Sequence, residues 1–267
     1  MAKVLPAWTV AHAANNKAAL EMLKSRPYEL VLTGEGTTGK QDVELLRQIR
    51  IVRPHVRLII ITSESTPADV IAAMRERAFS YFSEPYSIPA FEQMLLLATT
   101  GPVWDEGIEI LSATPELMQL VARCDRKTAD RLVQFIHEVA DLPIKEKEAV
   151  ALAFREMLMN AIEHGANFNA TQHVSISYLR AKYMVLCRVK DPGEGFSLQE
   201  ARHAAIMNPP SDPIRHAAIR EKLGLRPGGF GILVTQNIID ELIYGEKGNE
   251  VVLIKYLKPE QLETPAS

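Results

Sequence analysis

Two kinds of segment alternate along the first hundred residues. Asn16 to Lys24, Asp42 to Ile51, Pro67 to Arg77 and Ile88 to Ala98 carry apolar side chains at helical spacing, while Tyr28 to Thr33, Val56 to Thr62 and Ser80 to Phe82 are short apolar runs. Runs of that kind between helices predict a parallel sheet covered on both faces. Residues 4 to 12 alternate loosely around Val4, Trp8 and Val10. Thr99 to Asp105, with Gly101 and Pro102, reads as a linker, after which the pattern changes. Gly107 to Ser112 predicts a strand, and Pro115 to Val139 one long amphipathic helix through Leu117, Leu120, Val121, Cys124, Ala129, Leu132, Phe135 and Ile136. Pro143 to Gly165 predicts another helix, and Val174 to Leu179 with Tyr183 to Lys190 an antiparallel pair. Ser197 to Pro227, with Pro209, Pro210 and Pro213, is a polar stretch of the length used for lids and binding loops. Gly229 to Glu241 predicts a helix, Glu250 to Leu257 a strand, and the tail beyond Pro259 is expected to be loose.

A chain of 267 residues with this break fits two ordinary domains, and 47% hydrophobic with 24% charged residues suits a soluble core. The formal net charge of -3 supplies no basic field, so neither nucleic acid nor an anionic membrane is an expected partner. The longest apolar runs, Leu58 to Ile61 and Met94 to Ala98, are far too short to span a bilayer, and no signal-peptide pattern opens the chain; a cytoplasmic location is expected. Cys124 and Cys187 lack metal-ligand spacing and are read as free thiols.

The chemistry concentrates in Glu148 to Gly165, EAVALAFREMLMNAIEHG. On a helix Glu156, Asn160 and Glu163 fall on one side with His164 at the edge, and Val150, Phe154, Met157, Leu158 and Ala161 on the other. A carboxamide oxygen is a neutral, hard ligand suited to Mg²⁺, and a carboxylate one turn away can orient or deprotonate a hydroxyl. Alone, the stretch reads as an exposed helical face. Two glycine-rich segments shift that balance: Asp191-Pro-Gly193-Glu-Gly195-Phe196 after an apolar strand, and Pro227-Gly228-Gly229-Phe230-Gly231 opening an apolar helix. Glycines there let backbone approach a ligand, and a helix N-terminus offers N–H groups to phosphate.

The ordered set ExxxN, DxGxGF and GGxG resembles the asparagine and glycine boxes of the GHKL ATPases, the superfamily of gyrase, histidine kinases and MutL. Within it, Glu156, Asn160, Ala161 and His164 resemble the ExxxNAxxH form of the anti-sigma factor serine kinases of the RsbW and SpoIIAB type. The resemblance implies an α/β two-layer sandwich, the Bergerat ATP-binding fold, over residues 107 to 259, followed by a tail at 260 to 267. It implies ATP or ADP with Mg²⁺ as cofactors, Asn160 as metal ligand and Glu156 as general base. His164, Asp191, Gly193, Gly195, Phe196, Gly228, Gly229, Phe230 and Gly231 complete the implied nucleotide site. Asp191 is assigned to adenine, since a carboxylate in an apolar pocket accepts from the exocyclic amine; its other reading is a turn-forming aspartate. The resemblance further implies transfer of the γ-phosphoryl group to a serine of a STAS-domain anti-sigma factor antagonist, with a sigma factor as a second partner and a homodimer as the expected assembly. The alternative is a protein that uses ATP to grip a sigma factor or other regulator with little turnover. His137-Glu138 invites comparison with a phosphoacceptor histidine, but no second helix forms a dimerising hairpin before Glu156, and a surface histidine is expected.

Residues 1 to 100, through ELVLTGEGTTG, ELLRQIR, LIIITSES and YFSEPYS, resemble a response-regulator receiver domain, with residues 101 to 106 as linker. The resemblance is to a degenerate form. Gly34 stands where the family's phosphorylated aspartate closes a strand, and Glu84 where its lysine precedes Pro85. The chain opens at the family's second strand, leaving no counterpart for the acidic pair that holds Mg²⁺, and Thr62 and Tyr81 at the switch positions read as core and edge residues. A parallel sheet without its first strand exposes an edge that another chain or an upstream segment can pair with. Phosphoryl transfer to a receiver needs a carboxylate nucleophile and a cation. Acetyl phosphate is therefore expected to leave residues 1 to 100 unmodified by mass spectrometry; a stable acyl phosphate mapped there contradicts this reading.

Overall fold

The computed structural model describes residues 8–34, 36–100, 107–195 and 235–259. They fall into two compact units, the first comprising residues up to Ile110 with Asp130–Asp141, the second Leu111–Ala129 with the residues from Leu142 onward.

In the first unit the expected alternation is present. Helices α1 (Asn16–Ser25), α2 (Gly39–Val52), α3 (Pro67–Arg75) and α4 (Ile88–Thr99) alternate with strands β1 (Leu30–Leu32), β2 (Arg57–Thr62) and β3 (Ser80–Ser83), in a parallel sheet of order β1-β2-β3. Caps set the helix starts: Thr38 with Gln41, and Thr66 with Asp69, form reciprocal capping boxes. All six residues of β2 are buried, as a central parallel strand requires. Ile59, Phe79, Phe82, Met94, Leu95 and Ala98 form a core cluster, joined by Leu30, Leu32 and Phe91. Residues 8 to 12 form no strand, contrary to the receiver-like expectation, and residues 4 to 7 lie outside the described residues. Among the described residues β1 pairs with β2 alone, and its three residues are half-buried.

The free side of β3 is managed differently. Helix α5 (Arg126–Val139) contributes its residues from Asp130 to this unit. Arg131 Nε donates to the Phe79 carbonyl at 2.9 Å and Gln134 Nε2 to the Tyr81 carbonyl at 2.9 Å, while Glu138 accepts from the Ser83 N–H at 3.1 Å and from its hydroxyl. Side chains thus satisfy backbone groups that a further strand would otherwise take. His137, with 30% of its side chain exposed, sits beside Glu138 at 3.3 Å.

A six-stranded sheet, β4 (Ile108–Ala113), β5 (Leu117–Arg123), β6 (His173–Ala181), β7 (Met184–Lys190), β8 (Glu241–Tyr244) and β9 (Glu250–Tyr256), in the order β4-β5-β6-β7-β9-β8, lies in the second unit from Leu111 onward. Alternate residues are buried: Met118, Leu120 and Ala122 from β5, Val174, Ile176 and Tyr178 from β6, Val185, Cys187 and Val189 from β7. Helix α6 (Ile144–Asn160) packs against β7 and β9 and buries Val150, Phe154, Met157 and Leu158, the face its spacing assigned to packing. The mixed α/β fold, one parallel sheet and one antiparallel sheet with helices, is that of the expected class.

Two expectations are corrected. Pro115 to Val139 is not one helix: Leu117–Arg123 is β5, paired antiparallel with β6 from Leu117↔Leu179 to Arg123↔His173. Leu117, Leu120, Val121 and Cys124 satisfy a helical period, yet the burial of Met118, Leu120 and Ala122 follows a period of two. The break is Asp125, whose carboxylate accepts from the Thr128 N–H at 2.8 Å and hydroxyl at 2.9 Å and so starts α5. Likewise the helix expected to reach Glu241 ends near Ile238, and β8 begins at Glu241; residues 229 to 234 lie outside the described residues.

Asp42, in α2, is fully buried, and neither carboxylate oxygen has a hydrogen-bond partner. Nearby hydroxyls spend their protons elsewhere, Thr33 on the Ile61 carbonyl at 3.0 Å and Thr37 on the Gly34 carbonyl at 3.1 Å. Burial pushes the Asp42 carboxyl up to about 6. The folded pKa lies above the unfolded value, so only the unfolded chain releases this proton as pH rises from about 4 to about 6, and the folded state loses stability across that window. The loss is complete above pH 6 and amounts to ~3 kcal/mol. Asp42→Asn is expected to be more stable than wild type by ~1–3 kcal/mol at pH 7.5 in urea unfolding, with the advantage shrinking toward pH 4. An equal difference at both pH values contradicts this.

Candidate functional site

The site grows from the end of α6. Glu156 and Asn160, one helical turn apart, are half-buried, and His164 is exposed. The Glu156 side chain is 27% exposed and its Oε1 lies 3.4 Å from Arg155 Nη1, so a long, weak ion pair leaves the carboxylate available. After Asn160 the helix widens into a π-helical turn, Ala161–Gly165, of the kind often found at functional sites. Residues 166 to 168 then reverse the chain: Asn167 and Phe168 adopt positive φ (50° and 55°), and the Phe168 N–H bonds the Ile162 carbonyl at 3.0 Å.

The π-helical turn delivers Gly165 against Asp191, which follows β7. A Cβ on Gly165 would sit 2.5 Å from the Asp191 Cβ and closer still to its carboxylate, so only glycine allows this approach. Asp191 Oδ1 accepts the Gly193 N–H at 2.8 Å, and a Cβ on Gly193 would lie 2.7 Å from the Gly165 carbonyl. Gly165, Asp191 and Gly193 are thus one packed group. Burial pushes the Asp191 carboxyl above its usual range, and the Gly193 N–H partly offsets this. The turn reading of Asp191 is therefore correct as far as Oδ1 goes, while Oδ2 takes no hydrogen bond from the described residues. Gly195 has a φ of 87° and packs on the Lys247 carbonyl so closely that a side chain has no room.

Phe196, Gly228, Gly229, Phe230 and Gly231 lie outside the described residues. The sequence reading missed Gly165 and Asn249. The first was visible as a glycine closing a helix, which suggests a cap rather than a contact. The second, whose backbone oxygen accepts from the Asp191 N–H at 2.9 Å, carried no local signal.

Chemically, the described part of the site offers a hard neutral oxygen at Asn160, a carboxylate a turn away at Glu156, and a half-buried carboxylate acceptor at Asp191, with glycine backbone beside it. That donor set fits a purine amine and an oxygen-ligated cation such as Mg²⁺.

Residues 120–255 match the family described as the histidine kinase-like ATPase domain. The chain belongs to this family. Among its relatives are the serine-protein kinase RsbW of Oceanobacillus iheyensis, 26% identical over 117 residues that make up 43% of this chain and 69% of that protein, and the anti-sigma F factor of Bacillus thuringiensis, 31% identical over 121 residues, 44% of this chain and 74% of the relative. A third similarity is to the response regulator protein FleR of Pseudomonas aeruginosa, 25% identical over 121 residues, 44% of this chain and 26% of FleR. Among the described residues no helix is long and apolar enough to cross a membrane.

Gly165→Ala is expected to lower stability by ~1–3 kcal/mol, because the new methyl group must displace the Asp191 side chain or the backbone carrying it. A melting temperature equal to wild type, with the Asp191–Gly193 turn unmoved in the variant structure, contradicts this packing.

Proposed function

We propose that this chain is an ATP-dependent protein serine/threonine kinase of the anti-sigma factor type, whose substrate is a STAS-domain antagonist. The observation that carries the proposal is the pairing of Glu156 with Asn160 one turn apart on α6, on the helix whose end is packed against Asp191. Membership of the ATPase family and similarity to a relative named as a serine-protein kinase support it.

In this reading Asp191 Oδ2 accepts from the adenine amine, while its Oδ1 stays bound to the Gly193 N–H. Guanine presents a carbonyl at that position and is refused. Asn160 offers its amide oxygen to Mg²⁺, and Glu156 takes the proton of the substrate hydroxyl as the nucleophile forms. Bound Mg²⁺ and ATP would supply the transferable γ-phosphoryl group and a cation that offsets charge during transfer. Gly228, Gly229 and Gly231 are assigned to phosphate through backbone N–H groups, with His164, Phe196 and Phe230 completing the boxes.

The domain assignment belongs to the same proposal: residues 1–100 a degenerate receiver-like module for docking or dimerisation, 101–106 a linker, 107–259 the ATPase domain. Similarity to FleR supports the receiver-like part. The second reading, an ATP-dependent binding protein that sequesters a sigma factor with little turnover, draws support from the relative named anti-sigma F factor.

The deciding experiment incubates the protein with labelled ATP and the STAS protein encoded nearest to it. Phosphate transfer is expected, and Glu156→Gln, which keeps size but removes the base, is expected to lower it by roughly two to four orders of magnitude with nucleotide affinity little changed. Asn160→Ala is expected to lose Mg²⁺-dependent nucleotide binding and transfer together. No transfer by wild type, with ATP still tightening partner binding in wild type and Glu156→Gln alike, rejects the kinase in favour of the binding protein.

A further inference from the structure

The turn that bears Asp191 is held by more than its own hydrogen bond. The β8–β9 hairpin reaches across to it, and Asn249, the last residue before β9, makes the connection. Its backbone carbonyl accepts the Asp191 N–H at 2.9 Å. Its side-chain Nδ2 donates to the Gly193 carbonyl at 3.1 Å and approaches the Asp191 carbonyl at 3.5 Å. Two residues earlier in the same hairpin, the Lys247 carbonyl meets Gly195 at a distance that excludes a side chain. The Asp191–Gly193 end of the turn is thus hydrogen-bonded to this hairpin, and its Gly195 end packs against it.

The hairpin is itself stiffened. Gly248 takes a φ of 75° and donates its N–H to the Gly245 carbonyl at 2.9 Å, and the Gly245 N–H closes on the Glu250 carbonyl at 2.9 Å. Next to Asn249, Glu250 receives the Arg188 guanidinium through two parallel bonds of 2.6 and 2.7 Å, an arrangement with more geometric definition than a single-contact ion pair. The same arginine holds the Glu250 carboxyl below its usual range. The pair locks β7, from which Asp191 emerges, to β9, from which Asn249 emerges.

We propose that Asn249 is a positioning residue for nucleotide recognition: it fixes Gly193 from the carbonyl side while the Asp191 carboxylate fixes it from the N–H side, and so sets the direction of Asp191 Oδ2. This rests on the adenine assignment made under the proposed function. The residue type matters because a carboxamide brings N–H groups to two carbonyl oxygens. A carboxylate of the same shape brings none and repels both.

The test is Asn249→Asp, with ATP and GTP titrated by calorimetry and amide hydrogen exchange followed over Asp191–Gly195 in the nucleotide-free protein. The expected result is a loss of about tenfold in ATP affinity with GTP affinity little changed, so that discrimination narrows, together with faster exchange in the Asp191–Gly195 turn. A purely structural role would weaken both nucleotides by one factor, and that result overturns the proposal. Unchanged exchange overturns it whatever the nucleotides do. If wild type binds neither nucleotide, the functional reading fails instead, and faster exchange in the variant still assigns Asn249 to holding the turn.

Discussion

The second unit is built around a contact that exists because Gly165 has no side chain. The end of α6 and the turn after β7 approach until Gly165 and the Asp191 carboxylate are in van der Waals contact, closer than any Cβ permits. The surrounding structure brings them there: the π-helical turn at Ala161–Gly165 alters the path of the motif helix, and the left-handed residues Asn167 and Phe168 then carry the chain toward β6. On the other side, β7 runs between β6 and β9 with alternate residues buried, which fixes where Asp191 leaves the sheet. One end of the proposed site thus depends on helix geometry and the other on sheet register.

A different constraint acts in the first unit. The C-terminal ends of β1 and β2 are occupied with internal bonding. Thr33 bonds Ile61 through both its donor and acceptor roles, and the Thr62 hydroxyl is engaged with the Thr37 and Glu64 carbonyls. Gly34 and Glu84 are exposed. Asp42, the buried carboxylate nearby, lies in a helix, and its burial raises its pKa. The free side of β3 is closed by Arg131, Gln134 and Glu138 from α5. The unit is a parallel sheet whose strand ends and β3 edge are closed by internal hydrogen bonds, with Asp42 buried at a cost in stability.

Legibility from sequence followed the range of the interactions. The helices and strands of the first unit were readable because period and caps are local: Thr38 with Gln41 and Thr66 with Asp69 fix helix starts within four residues. The face of α6 was readable for the same reason. The failure at Pro115 to Val139 came from a segment that satisfies both periods, and the deciding partner, β6, lies fifty or more residues along the chain. The short strand β8 exists through pairing with β9, not through its own four residues. Gly165 and Asn249 were missed because their meaning lies in contacts with Asp191 and Gly193. Glu156, Asn160, Asp191 and Gly193 were legible only because their spacing resembles a known set of boxes; geometry then joined Asp191, Gly193 and Gly165.

In the proposed function Asp191, held at one oxygen by the Gly193 N–H, presents the other to an adenine amine. Calorimetric titration of the wild-type protein with ATP and with GTP in Mg²⁺, repeated on Asp191→Asn, tests it most directly. Wild type is expected to bind ATP more tightly than GTP and the substitution to weaken ATP, since an amide places a donor where an acceptor is needed. Equal affinity of wild type for the two nucleotides, or an Asp191→Asn protein that prefers ATP as strongly as wild type does, contradicts it.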